Sequence, residues 1–291
     1  MMRGQRYMAV AVRAPSSEIV LRSEELPKRL YQGPLTRIPF LRGSIVLWDT
    51  LGLGMRALMF SADVAMGEED VKLSKPIAWT TAAIGIILGV GLFFVLPVVL
   101  TAFVHDRLGS SLVANVAEGV LRIAMLVGYV WAIGFFPDIG RVYMYHGAEH
   151  KAINALEGGA RLTIPDMLPY SIRHPRCGTN FLLIVGLLAI AVFAPLGRPD
   201  SWLVLVGSRI VLIPVIAGIA YEAIKWGAVH IEHPAVRSLM APGLALQGIT
   251  TREPDASQVE VAATALREVL RLERPELLDE GQREAVPEPI A

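Results

Sequence analysis

Two histidines and a carboxylate fall within five residues at His146-Gly147-Ala148-Glu149-His150. On a helix, His146 and His150 stand one turn apart on one face, with Glu149 beside them. Two imidazoles at that spacing can hold one metal ion. The adjacent carboxylate can then take a proton from an attacking water that the metal acidifies. The order H-x-x-E-H is the inverted zincin pattern, and zinc is the divalent ion it suggests. The same residues also suit a polar helix face whose histidines only hydrogen-bond.

A catalytic zinc takes three protein ligands and keeps one position open, so the two histidines need a partner. The string His174-Pro175-Arg176-Cys177-Gly178-Thr179-Asn180 immediately precedes an apolar run. A cysteine at a helix start beside an arginine favours the thiolate, the form that binds metal. His174 and Cys177 are therefore candidate ligands, and Arg176 is a candidate for stabilising a developing anion. The other reading of this string is a loop anchor with Cys177 as a small buried residue. Glu222, inside another apolar run, is a further candidate ligand. Its alternative is a salt bridge with Arg122, Arg209 or a cation of the middle loop, because charges within a span are costly and usually paired. Arg209 reads as the offset to Glu118. The cluster His230, Glu232 and His233 reads as a solvated linker.

The elements that must position these residues belong to a membrane protein. Of 291 residues 53% are hydrophobic and 19% charged, with a mean hydropathy of +0.49. The 27 basic and 27 acidic residues balance, so no global field points to nucleic acid. A single cysteine excludes an internal disulfide and suits a reducing compartment. The uncharged run Ile77 to Val104 is long enough to cross a bilayer, with Pro97 expected to kink it. The second, third and fourth runs lie at about Leu112 to Phe136, Phe181 to Leu196 and Trp202 to Trp226, the third of them short. The second carries Glu118 and Arg122 one turn apart, able to pair. The expected fold is thus mainly α, with about four transmembrane helices.

Four crossings put both termini on one side. The loop from Pro137 to Asn180 carries Arg141, Lys151, Arg161, Arg173 and Arg176, whereas the two short loops carry only Arg107 and Arg198. The positive-inside rule then makes the termini and the middle loop cytoplasmic. Residues 1–43 read as a small β-rich region. Arg6 to Arg13 and Glu18 to Arg22 form strands around the turn Ala14-Pro15-Ser16-Ser17. Residues 44–76 carry Leu47, Leu51, Met55, Leu58 and Met59 at helical spacing, interrupted by Asp49, Arg56 and Asp63. They read as an amphipathic helix on the membrane surface, or as a core helix of the soluble part. The membrane domain covers 77–226. A C-terminal region, 227–272, ends in a helix with Ser257 and Glu260 at capping-box spacing and Val259, Ala263, Leu266, Val269 and Leu270 on one face. The acidic, proline-bearing tail 273–291 reads as disordered.

Pro137-Asp138 can stop the second span and start a new helix that ends at Gly158-Gly159. Were that helix to continue straight from the span, His146 would stand about 15 Å off the membrane, so the site requires the helix to fold back. Taken together, Arg141-Val142-Tyr143-Met144-Tyr145 with HGAEHK, then HPRCGTNF, Tyr221-Glu222 and PGLALQ-ITTREP resemble the bacterial YqhQ family. The resemblance covers most of the chain. It implies a four-span membrane protein of a group described as predicted metal-dependent enzymes, with HGAEHK and HPRCG in one site. Members open with a segment GGQAVxEGVMMRG, of which Met1-Met2-Arg3-Gly4 is present here; this implies a start within that segment.

Two functions follow as expectations. One is a metal-dependent hydrolase at the cytoplasmic membrane surface. In it His146 and His150 hold the metal with help from Cys177, His174 or Glu222, and Glu149 and Arg176 act on the substrate. The other is a non-catalytic membrane scaffold or accessory protein, with a homo-oligomer or another membrane protein as partner, in which the same strings are structural.

Overall fold

The computed structural model describes residues 1–27, 38–66, 75–104, 109–175, 177–197, 199, 201–284 and 286–289. Three antiparallel strands, β1 (Met2–Arg3), β2 (Tyr7–Arg13) and β3 (Ile19–Glu25), form a sheet in the order β1-β2-β3. The hairpin turn closes with Ser17 in the left-handed region (φ 71°) and Ala14 N–H donating to Glu18 O at 2.9 Å. Side chains alternate across the strands. Ala9, Ala11 and Leu21 face one way, while Met8, Val10 and Val20 face the other. Both faces are apolar, so both need cover.

One face is covered from far along the chain. Helix α11 (Ala256–Glu273) packs on Ala9, Ala11 and Leu21 and also on α5 (Pro137–Glu157), making one soluble core. The five positions expected on the inner face of α11 are all buried, as are Val261, Ala262 and Ala265, because the helix has neighbours on two sides. Its capping box is Asp255 with Gln258, two residues before the expected Ser257; Ser257 Oγ instead donates to Asp255. At the other end, the Glu273 carboxylate accepts the amides of Gln5, Arg6 and Tyr7 at 3.0, 2.6 and 2.7 Å, closing the β1–β2 turn against the helix. Order continues into the tail, where Leu278 is buried in the same core and α12 (Glu280–Glu284) follows.

The opposite face of the sheet lies on α1 (Leu41–Met66), through Leu53, Ala57, Phe60 and Val64. The protein is mainly helical beyond this point. Helix α2 (Lys75–Val90) runs through a wide turn at Gly91–Val95 into α3 (Leu96–Phe103), and α4 (Ser111–Ile133) returns. After α5 come the short α6 (Ile164–Met167), α7 (Gly178–Phe193), the broken pair α8 (Trp202–Val211) and α9 (Ile213–Val229), and α10 (Pro234–Thr250). Among the described residues, four helices are long and apolar enough to cross a membrane: α1, α2–α3, α4 and α8–α9. Helix α7 is shorter, at 16 residues.

The expected kink at Pro97 takes the form of the wide turn. Pro97 has no N–H for the Phe93 carbonyl four residues earlier, and Arg122 Nε donates to that carbonyl instead, at 2.9 Å. Arg122 is one of two guanidiniums buried among the spans. Arg122 and Arg209 both reach Glu118 Oε1, at 2.8 and 3.2 Å, and Arg209 also donates to Asn115 Oδ1 at 3.0 Å. The ring of Phe193 lies against both, its centroid 5.8 and 4.3 Å from the two guanidinium carbons. Removing the shared carboxylate leaves two buried cations without an ion partner. Glu118→Gln is therefore expected to destabilise the fold by about 3–5 kcal/mol, read as a lower unfolding temperature of the purified protein in detergent.

Candidate metal centre

Helix α5 serves two interfaces because its sequence carries two stripes. Ala148, Ala152 and Ala155 recur at spacings of four and three and enter the soluble core. His146 and His150, offset by two residues from that stripe, point elsewhere. The helix starts and stops where the sequence indicates, at Pro137 and at Gly158-Gly159. Its N-cap is Phe136, with Pro137 in the first position, so Asp138 sits inside the first turn and is not the cap. The chain breaks after Ile133, and Tyr143 Oη donates to Val130 O at 2.8 Å. The second turn of α5 therefore lies beside the end of α4. This is the fold-back the site requires.

His146 and His150 meet edge to face, with ring centroids 4.4 Å apart. Each gives its Nδ1–H to a backbone carbonyl, His146 to Thr250 O at 2.9 Å and His150 to Ile172 O at 2.6 Å. Both Nε2 atoms are thereby turned toward Cys177, whose Sγ is 3.2 Å from His146 Nε2. A ligand atom from each of the three lies within 4.8 Å of the others, the one such His/Cys/Asp/Glu group among the described residues. Cys177 is the N-cap of α7, and its sulfur accepts from Thr179 N–H at 3.4 Å. Burial pushes the Cys177 thiol up, but hydrogen bonds from His146, His150 and Thr179, with the charge of His146, hold it at about 5. Burial lowers His146, yet its bond to Cys177, that thiolate's charge, the Thr250 carbonyl and Glu149 raise it on balance.

Residues that no motif singles out position the two carbonyls. Lys151 Nζ donates to Leu168 O and Tyr170 O at 2.6 and 2.7 Å, and Asn154 Nδ2 to Ser171 O and Arg173 O at 2.8 and 3.0 Å. The loop after α6 is thus drawn along α5 and lays Ile172 O over His150. Gln247, fully buried on α10, accepts from His174 N–H at 2.9 Å and donates to His174 O and Asn180 Oδ1 at 2.9 and 3.0 Å. It locks the Cys177 loop to the helix whose end supplies Thr250 O. Gly147 allows that end to approach, since a Cβ there would stand 2.2 Å from Arg252 O. The only sequence signal for these roles is the run of polar residues at helical spacing on α5.

Three of the named ligand candidates come together, and two do not. His174 Nε2 is 3.3 Å from Glu157 Oε1, with its ring 6.0 Å from that of His150. Glu222 is held away by a nearer cation: Arg42 Nε donates to its Oε1 at 2.6 Å, and the guanidinium closes a second contact to Oε2. Arg209 offsets Glu118, as the sequence suggests. Glu149 is half-buried and turned toward β1, its Oε1 2.5 Å from the Met1 amino group. Arg176 lies outside the described residues.

A model for the family "Protein of unknown function (DUF1385)" matches residues 38–272, a stretch that contains the whole site. The chain belongs to this family. The uncharacterized protein YqhQ of Bacillus subtilis (strain 168) is 32% identical over 250 residues, covering 81% of this chain and 78% of that protein. No solved structure matches.

Two outcomes test the site's geometry in metal-free protein. Because the thiol is held low, alkylation of Cys177 by iodoacetamide is expected to slow only as pH falls through about 5. His146→Ala removes the hydrogen bond and charge that lower it, so the midpoint of the rate–pH profile should move upward toward the free-thiol value of about 8.5. Gly147→Ala forces Arg252 off α5; a cost of about 1–3 kcal/mol in unfolding free energy is expected, with faster alkylation as the His146 anchor loosens.

Proposed function

We propose that the chain is a metal-dependent hydrolase acting at the cytoplasmic membrane surface, with His146, His150 and Cys177 as the metal ligands. One observation carries this reading: both imidazoles spend Nδ1–H on a fixed carbonyl and aim Nε2 at the same sulfur. Metal-binding histidines are oriented in this way, by a second hydrogen bond that sets tautomer and ring direction. The donor set fits zinc, which takes nitrogen at about 2.0–2.1 Å and sulfur at about 2.3 Å. A tetrahedral angle would separate such a pair by about 3.5 Å, close to the 3.2 Å between His146 Nε2 and Cys177 Sγ. Bound there, zinc would acidify water and polarise a carbonyl or phosphoryl oxygen.

The chain's own groups would divide the remaining work. Glu149, adjacent in sequence to His150, would take the proton from the attacking water once its carboxylate leaves the Met1 amino group that holds it toward β1. Without metal, one proton is shared between Cys177 and His146, and metal binding displaces it. The cytoplasmic placement draws support from Arg141, Lys151, Arg161 and Arg173, which all lie between α4 and α7.

The bonds from Lys151, Asn154 and Gln247 favour a second reading, in which the same residues tie the soluble core to the spans in a non-catalytic scaffold. Metal analysis separates the two. Protein purified from zinc-supplemented cells is expected to carry one zinc per chain, and His146→Ala and Cys177→Ser to carry none while eluting as folded protein. Glu149→Gln is expected to keep the metal and to fail in complementing a strain that lacks the gene. Metal-free wild type, or full complementation by Glu149→Gln, overturns the hydrolase. Full complementation by folded, metal-free His146→Ala favours the scaffold.

A further inference from the structure

The shared soluble core restricts which helices cross the bilayer. The sheet, α5 and α11 pack together, so they lie on one side of the membrane. Every crossing moves the chain to the other side, and the number of crossings between any two of them must be even. Among the described residues, helices are the only elements that can traverse lipid. Between the sheet and α5 the described residues include three of sufficient length and apolarity, α1, α2–α3 and α4. All three cannot cross. Between α5 and α11 the apolar candidates among the described residues are α8–α9 and the shorter α7. They must cross as a pair.

We infer that α1 does not cross but lies along the membrane surface, held between the β-sheet and the lipid headgroups. Of the three helices before α5 it is the least apolar, and Asp49, Arg56 and Asp63 repeat every seven residues along one flank. Leu53, Ala57, Phe60 and Val64, at spacings of four and three, pack beneath the sheet. Arg56 pairs with Glu24 of β3 at 2.8 Å, and Arg3 of β1 donates to Thr50 at 3.0 Å. Much of α1 is thus part of the soluble fold. The face opposite the sheet carries Trp48, Leu51, Met55, Leu58 and Met59, and Trp48, Leu51 and Leu58 are 79%, 56% and 67% exposed.

The occupant of that face is set by where the helix begins. Phe40, Arg42 and Gly43 lie against Gly218, Glu222 and Tyr221 of α9, inside a helix long and apolar enough to span. A Cβ on Gly218 would stand 2.4 Å from Phe40 O, so the approach is close. The first turn of α1 is therefore at bilayer level, and the outward stripe is continuous with the lipid-facing surface of the spans. Charge on the flank, an apolar stripe outward and a tryptophan within it fit an interfacial helix.

Single cysteines at exposed positions test this in membranes, with the buried Cys177 as background. Ser16→Cys in the hairpin turn, Asp63→Cys on α1 and Ser171→Cys before α7 are all expected to react with a membrane-impermeant maleimide from the same side. Asp63→Cys reacting from the side opposite Ser16→Cys overturns the inference. A bimane fluorophore on Leu58→Cys, with Trp48→Cys as second site, is expected to be quenched more by nitroxides high on the acyl chain than by nitroxides near its methyl end. Stronger quenching by the deep probe means α1 spans, and no quenching by either means that protein covers the face; each result overturns it.

Discussion

The packing of α11 against both the sheet and α5 is the constraint on which the rest depends. It joins the first strands of the chain, its middle and its last long helix, although apolar helices separate them. Small residues make it possible: Ala148, Ala152 and Ala155 on α5 meet Ala262, Ala263 and Ala265 on α11 in one core. Burying that core fixes α5 in rotation, and rotation decides where His146 and His150 point. A shift of α5 by one residue, about 100°, would swing both imidazoles off Cys177.

The trio is assembled from three places, each held by backbone groups. Thr250 O comes from the end of α10, Ile172 O from the loop after α6, and Cys177 from the start of α7. The thiolate at a helix N-terminus and the imidazolium beside it stabilise each other while proton-loaded. Metal would replace that proton without new ligands having to arrive. The arrangement is preorganised by hydrogen bonds to main-chain carbonyls, whose positions follow from helix ends and are therefore rigid.

This explains what the sequence reveals and what it conceals. Proline and glycine punctuate α5, so its limits are legible, and the motif names Cys177 as one of three candidate partners for His146 and His150 without choosing among them. The alternation of strands β2 and β3 is equally plain. Thr250 and Ile172 are not legible, because a carbonyl acceptor carries no side-chain signature. Gln247 hides for a related reason: it serves backbone groups of a loop far from it in the chain. Glu222 and His174 look like ligands by type, but Arg42 and Glu157 engage them first, and such pairings arise only in three dimensions. The sheet-facing stripe of α1 is masked by the apolar stripe on its opposite side, so the sequence shows an amphipathic helix without showing which face meets the sheet.

The depth of the site follows from the length of α7. Its 16 residues cover about 24 Å at 1.5 Å per residue, against about 30 Å of hydrocarbon. For α7 to cross, one end must be drawn inward. Asn115 shows which, because its amide donates to Phe193 O and Gly197 O at 2.9 and 3.0 Å and ties the far end of α7 to α4. Asn115 lies one turn inside the start of α4 at Ser111, about 6 Å along the helix axis. That offset accounts for the missing length, so the near end needs no such displacement. Cys177, capping that end, would then sit where hydrocarbon gives way to headgroups. A centre at that depth would reach molecules that are themselves half in lipid, and there the hydrogen bonds and charge of His146 must offset the burial that pushes the Cys177 thiol up.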